Sequence, residues 1–278
     1  MSLTSPPLVS LLMAAYNAEK YIKEAIFSVL NQSYNHIELL IINDGSTDDT
    51  ENIILSVLNE KIHYFKQENK GVSAARNVLL KAMKGDFFII FDADDILPKD
   101  SILNRMNIFY SNKNVYFIDG IVIRKTTDLQ QVVEICKPNF NGNPHKNLMR
   151  LDSNCFSVPA WLIRREKDKN YIMQENMSHA EDLLFYIEIS KNPNYLYAYV
   201  NEEILYYRIH NNMAMKKLEQ LELGYFNFYN QLKNNYKAAH FITLLYLKYK
   251  IARIMFLSYL RNKQIKKAVR TLWQTAFL

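Results

Sequence analysis

Cysteine is nearly absent: the 278 residues hold two, Cys136 and Cys155, and they show no metal-type spacing. That argues against a zinc site and fits a reducing compartment. Long apolar runs are missing too. Charges interrupt every stretch before it approaches the roughly 20 residues needed to cross a bilayer, so a chain that does not span a membrane is expected. Residues 1–7 carry neither a basic start nor an apolar core of signal-peptide length, which predicts a cytoplasmic protein. Internal repeats, low-complexity tracts and nucleic-acid recognition motifs are also lacking. What is present is 49% hydrophobic residues, enough at this length to exclude disorder and to bury one large core, with or without a smaller appendage.

Acidic charge is scarce at the C-terminal end. Residues 213–278 hold twelve Lys or Arg and two Glu, net +10, whereas the whole chain carries +6, so the other 212 residues sum to −4. A basic module follows a mildly acidic one, and the two are expected to meet different partners.

The first half alternates strand and helix patterns with short joints. Residues 8–14 read as a strand, and 18–31 as a helix with Ile22, Ala25, Ile26, Val29 and Leu30 on one face and Asn17 as N-cap. A second strand is expected over 37–42, followed by the polar turn Asn43-Asp44-Gly45-Ser46-Thr47-Asp48-Asp49 and a helix carrying Ile53, Ile54, Val57 and Leu58 on one face. A third strand over 62–67, a helix over 72–84 closed by Gly85 as C-cap, and the fourth strand Phe87-Phe88-Ile89-Ile90-Phe91 complete the series. Four strands with three intervening helices predict a right-handed, mostly parallel sheet. Beyond Pro98 the pattern predicts a helix over 100–111, strands over 115–118, 121–125, 132–135 and 159–165, a loop over 139–146, a helix over 181–190, and helices from 213 to the end.

Asp92-Ala93-Asp94-Asp95 directly follows the fourth strand, at the carboxyl end where ligands of parallel α/β sheets collect. Oxygen ligands two residues apart suit Mg²⁺ or Mn²⁺. Standing alone, such a motif is better read as an acidic turn capping the following helix. Two other loops should reach the same rim. Ala15-Tyr16-Asn17 offers the flat face of Tyr16 to a base, and Asp44-Gly45-Ser46 offers Asp44 as acceptor for an imide or ribose hydroxyl. Core packing for Tyr16 and turn formation for Asp44 are the plain alternatives.

Taken jointly, four segments resemble the family 2 glycosyltransferases of the GT-A fold: Val9-Ser10-Leu11-Leu12-Met13-Ala14-Ala15-Tyr16-Asn17, Ile41-Ile42-Asn43-Asp44-Gly45-Ser46-Thr47-Asp48, Asn69-Lys70-Gly71-Val72-Ser73-Ala74-Ala75-Arg76-Asn77, and Phe91-Asp92-Ala93-Asp94-Asp95. With two later segments they cover about 8–212. The resemblance implies an α/β, Rossmann-like, mostly parallel mixed sheet flanked by helices. It divides the chain into a catalytic domain over 1–212, with a nucleotide-binding half to about 98 and an acceptor half beyond, and a helical extension over 213–278. It also implies inverting transfer of one sugar from a nucleotide-diphosphate sugar, expected to be UDP-linked, to a glycan or lipid-linked acceptor with one Mn²⁺ or Mg²⁺ ion.

Carried over residue by residue, Tyr16 matches the base-stacking position within the donor loop Ala15-Tyr16-Asn17, and Asp44 the partner of a uracil-type imide. Arg76 matches a donor-site contact, with a solvated helix arginine as its alternative. Asp92 and Ala93 belong to the donor loop, Asp92 touching ribose or a metal-bound water, and Asp94 matches the direct metal ligand. His179-Ala180-Glu181-Asp182 resembles the position of the catalytic base, Asp182 ahead of Glu181, though two acids also favour any helix N-terminus. Tyr207-Arg208-Ile209-His210 resembles a segment that closes over the diphosphate, with Arg208 on phosphate and His210 on phosphate or metal.

Some positions depart from the family pattern: Ala14 where Pro is common, Asn43 where Asp is common, and Met213-Ala214 where Ser is frequent. A Gln-x-x-Arg-Trp segment, carried by processive synthases, is missing, which with the lack of membrane spans favours adding a single sugar to a chain or a lipid-linked acceptor, and the short, Lys/Asn/Ile-rich chain points to bacterial surface-glycan assembly. The tail interleaves bases from Lys216 to Arg270 with aromatic residues and Trp273, suiting peripheral contact with an anionic membrane at its cytoplasmic face. Helices packed on the catalytic domain, or a homodimer interface, are the alternatives. Two rival functions are a sugar nucleotidyltransferase, which needs a Gly-rich basic loop where Ala14 to Asn17 stand, and a non-catalytic nucleotide-sugar-binding module.

Overall fold

Strands β1 (Val9–Ala15) and β2 (Ile37–Asp44) carry apolar side chains on both faces and are buried along nearly their whole length, as expected of central strands with helices on both sides. In the computed structural model, which describes residues 6–156, 158–177, 179–210, 217–235 and 241–278, they pair in parallel with β3 (Ile62–Gln67) and β4 (Phe87–Asp92) in the order β3-β2-β1-β4. The intervening helices are α1 (Ile22–Leu30), α2 (Thr50–Ser56) and α3 (Val72–Ala82). Alternation along β1 divides the core. Val9, Leu11 and Met13 pack with Ile22 and Ile26 of α1, while Leu12 packs with Ala75 and Leu79 of α3.

After α4 (Ser101–Ser111) come β5 (Val115–Lys125), β6 (Val132–Cys136), α5 (His145–Met149), β7 (Leu162–Arg164), α6 (Glu181–Ile189) and β8 (Leu196–Arg208). β7 inserts antiparallel between β4 and β5, which converts the parallel sheet into a mixed one. β8 runs parallel beside β5 over almost its whole length. Three helices follow: α7 (Leu218–Asn235), α8 (Phe241–Arg261) and α9 (Ile265–Ala276). Their apolar faces, including Phe228, Leu232, Ile251 and Met255, join the same core cluster as Leu12 and Ile90 of the sheet. Among the described residues no helix is long and apolar enough to cross a membrane.

Several expectations are corrected. α1 begins at Ile22, four residues late, and Asn17 does not cap it. With φ of 49°, Asn17 turns its Oδ1 across to accept from Thr47 N at 2.8 Å, tying the first two loops together. Gly85 is not a helix cap either, since α3 ends at Ala82 with Met83 beyond. It permits close approach: a Cβ there would lie 2.5 Å from Ser10 Oγ and 2.7 Å from Ser10 N. α2 buries Ile54 but ends at Ser56, so Leu58 of the expected apolar face lies beyond the helix and is exposed. The two strands expected over 115–125 are one, because Gly120 lets β5 pass beneath Ile204 and Val200, where a Cβ would come within 2.5 and 2.9 Å. α5 forms at the end of the expected loop, and the thirteen-residue β8 was not anticipated. Met213, Ala214 and Lys216 lie outside the described residues.

Candidate active site

The carboxyl ends of β1 and β4 open onto a cavity of about 820 Å³. Nine residues singled out from the sequence line it: Tyr16 and Asn17 after β1, Arg76 on α3, Asp92, Ala93 and Asp94 at the end of β4, Glu181 and Asp182 at the start of α6, and His210 beyond β8. Ala15, Asp44 and Arg208 do not.

Ligand atoms of Asp92, Asp94 and Asp95 all lie within 4.8 Å of one another. Backbone pairing shapes this loop. Ile96 exchanges both backbone hydrogen bonds with Tyr206, its N–H donating at 3.1 Å and its carbonyl accepting at 2.8 Å. Asp95 is buried, and its Oδ1 accepts from Arg208 N at 2.9 Å, so this carboxylate holds the loop. Asp94 points into the cavity and its Oδ2 meets His210 Nε2 at 2.8 Å. Burial and the neighbouring Asp92 push the Asp94 carboxyl above the ordinary range, against the opposing pull of His210. Burial, then Asp94 and Asp92, push Asp95 up further.

Arg208 lies behind the acid loop and not in the cavity wall. Its guanidinium is buried and committed to protein acceptors: the Asp94 carbonyl at 2.8 Å, the Thr127 carbonyl at 2.5 Å and Glu24 Oε2 at 2.6 Å. It shapes the acid loop and does not line the cavity. Asp44 is also committed. Its Oδ1 accepts from Gln67 Nε2 at 2.7 Å and Lys70 N at 2.9 Å, and its Oδ2 from Gly71 N at 2.9 Å. Those bonds fasten the entry to α3, where Gly71 takes φ of 88°.

Arg76 is buried in the cavity wall and bridges two sets of acids, at 2.7 Å to Asp92 Oδ1 and 3.6 Å to Glu181 Oε1. Burial acts against its charge, but Asp92, Glu181 and Asp182 outweigh burial and hold its pKa above the ordinary value. Glu181 is thereby held in place, and Asp182 is the freer acid. Burial, then Glu181, push the Asp182 carboxyl up to about 7, although Arg76 draws it down. The residue before this pair, Ala180, sits in the left-handed region at φ 63°, an uncommon conformation for a residue with a Cβ.

The sequence reading missed part of the wall. The Tyr21 ring lies tilted against the His210 ring with centroids 5.2 Å apart, and the Arg208 guanidinium sits 4.8 Å from the Tyr21 ring centroid. Leu221 and Tyr225 of α7 and Ile254 of α8 also line the cavity. They arrive there because α7 packs closely on the loop before α6: a Cβ on Gly224 would lie 2.4 Å from His179 Cβ. A lone glycine inside a helical pattern is the signal that could have found this contact.

The model of the family described as "Glycosyl transferase family 2" matches residues 10–172. The chain belongs to that family. This glycosyltransferase is 30% identical over 234 residues to an uncharacterized glycosyltransferase of Haemophilus influenzae, covering 80% of this chain and 88% of the relative. It is 29% identical to a putative teichuronic acid biosynthesis glycosyltransferase, TuaG, of Bacillus subtilis, covering 74% and 81% of the two chains. Its fold is shared with S. aureus TarS 1–349 in complex with UDP-GlcNAc, at TM-score 0.62 and 16% identity over 96% of this chain and 90% of that one. It is shared too with the mannosyltransferase PcManGT of Pyrobaculum calidifontis in complex with GDP-Man and Mn²⁺, at TM-score 0.66 and 15% identity over 98% and 76%. The glycosyltransferase therefore has the GT-A fold, as its sequence motifs imply.

Proposed function

We propose that this enzyme transfers one sugar, with inversion, from a UDP-sugar to a hydroxyl of a glycan or lipid-linked acceptor in bacterial cell-surface polysaccharide assembly, working in the cytoplasm. The observation that carries the reading is one cavity holding Tyr16, the Asp94–His210 pair and Asp182. The names of TuaG and of the UDP-GlcNAc and GDP-Man complexes support the pathway and the donor class.

Asp92, Asp94 and His210 would hold one divalent ion, and two carboxylates with an imidazole suit Mn²⁺ better than Mg²⁺, which favours all-oxygen shells. Such an ion would neutralise the charge on the departing diphosphate as a Lewis acid. Tyr16, 53% exposed, offers its ring to the base. Lys20 lines the cavity and makes no ion pair with a described residue, which leaves its ammonium for the diphosphate where Arg76 and Arg208 are committed. Asp182 accepts the proton of the acceptor hydroxyl, and a pKa near the working pH suits a general base. Leu221, Tyr225 and Ile254 give the acceptor half an apolar wall.

The test is a panel of nucleotide sugars assayed for turnover with and without Mn²⁺, using the natural protein, Asp94→Asn and Asp182→Asn. Metal-dependent turnover of a UDP-sugar that both variants lose is expected. Unchanged turnover in both variants, or turnover indifferent to divalent ions, would sink the reading.

A further inference from the structure

Helix α9 packs the wrong way round for a helix that simply finishes a core. Its buried positions are small or polar, Ala268, Thr271 and Thr275, while Ile265, Val269, Leu272 and Trp273 face solvent. An amphipathic helix ordinarily buries its large apolar stripe. Trp273 is 70% exposed and packs edge-on against Phe277, also exposed, with ring centroids 4.8 Å apart. α8 likewise exposes Phe241, Ile242 and Tyr249.

Charge identifies what covers this surface. Residues 241–278 contain eight Lys or Arg and no Asp or Glu. Lys267 and Arg270 are paired with Glu219 and Glu222 of α7, but Arg261, Lys263 and Lys266, beside the start of α9, pair with no acid among the described residues. A two-fold contact between copies would bring such a face against itself, basic on basic. Large apolar and aromatic side chains flanked by unpaired bases instead match the headgroup and acyl boundary of an anionic bilayer.

We infer that the outward face of α9, with the exposed start of α8, docks on an anionic membrane surface through Ile265, Val269, Leu272, Trp273 and Phe277. The docking itself does not depend on the proposed reaction; that reading enters only in the expectation that the bilayer presents a lipid-linked acceptor to a cavity walled by the same helices. α7 and α8 line the cavity with Leu221, Tyr225 and Ile254, so one helical module would contact both the membrane and the acceptor.

The two tryptophans of the chain make the test direct, because Trp161 is fully buried and Trp273 is exposed. The full chain is mixed with phosphatidylcholine vesicles, with or without equimolar phosphatidylglycerol, and followed by flotation and by tryptophan emission. Expected are co-flotation and a blue shift with the anionic vesicles, both reduced by high salt. Val269→Glu and Leu272→Glu, at exposed positions, should weaken partition by about tenfold or more, with nucleotide-sugar turnover in vesicle-free buffer and the buried Trp161 signal unchanged. No flotation of the natural protein at low salt overturns the inference. So does a blue shift that needs no vesicles and grows with protein concentration, which marks a second copy as the occupant. Loss of donor turnover in the natural protein would strike the proposed reaction and leave the vesicle result standing.

Discussion

β1, β2 and β4 bury apolar side chains on both faces and release polar groups at their carboxyl ends, where Tyr16, Asp92 and Asp94 reach the cavity. α7, α8 and α9 differ. They bury one apolar face, with Phe228, Ile251 and Met255, but also bury Glu222, Thr271 and Thr275, expose large apolar residues, and send Leu221, Tyr225 and Ile254 into the cavity. The sheet end therefore brings charged groups to the cavity, and the helical end brings an apolar wall. Arg76 and Gly224 are where the two ends meet, the first by ion pairs to Asp92 and Glu181, the second by contact with His179.

The largest effect that sharpens this comparison is expected from Asp182→Asn. On the proposed role of Asp182 as general base, its loss should cut the transfer rate by about 10²–10⁴-fold, while titration of UDP shows unchanged affinity. Weakened UDP binding instead would merge the two ends into one donor site.

Glu222 tests whether the helical end stands on its own. Its carboxylate accepts from Tyr259 Oη at 2.9 Å and Arg270 at 2.9 Å, and also bonds the Thr271 hydroxyl. Glu222→Ala would orphan those buried hydroxyls at about 1–3 kcal/mol each. Hydrogen exchange should accelerate across α7–α9 while β1, β2 and β4 stay protected; equal acceleration everywhere would make the core a single cooperative unit.

Gly224→Val probes the junction. The added side chain meets His179 and should cost about 1–3 kcal/mol in overpacking. A displaced Asp182 should lower the acceptor-dependent rate by up to about 10²-fold, with the donor KM unchanged.

The smallest effect is one of pH. The folded-state pKa of Asp182 is raised to about 7 from an ordinary 3.8, so the folded state binds this proton more tightly than the unfolded chain. Stability is lost as pH rises through that window, and Asp182→Asn should raise Tm at pH 8 by a few °C (about 2–4 °C per kcal/mol relieved) but leave it unchanged near pH 4. On the proposed base role, kcat/KM of the natural enzyme is expected to fall as pH drops below about 7.

Local signals were sufficient for much of this. The runs in β1, β2 and β4 and the helical face of α1 read directly from apolar spacing, and the acid motif at the end of β4 stood where a parallel strand must end. Residues that contact one another across many positions did not read. The bonds of Arg208 to Glu24 and Thr127 did not read, because nothing near it in sequence shows either partner. β8 was invisible because Asn201-Glu202-Glu203 breaks its apolar alternation, and the register shifts opposite Asp119, Ile121 and Val122 absorb that break.

The sequence alone settled the four-stranded parallel start, the family and the identity of the acids at the rim, because each rests on near neighbours and on side-chain chemistry. The tertiary structure decided which acids are available. Arg76 takes Glu181 and leaves Asp182, Arg208 takes Asp95 and leaves Asp94, and the lone glycine of α7 brings the C-terminal helices against His179. Hydrogen bonds and close packing saturate some groups and spare others, and that assignment depends on distances between residues far apart in the chain.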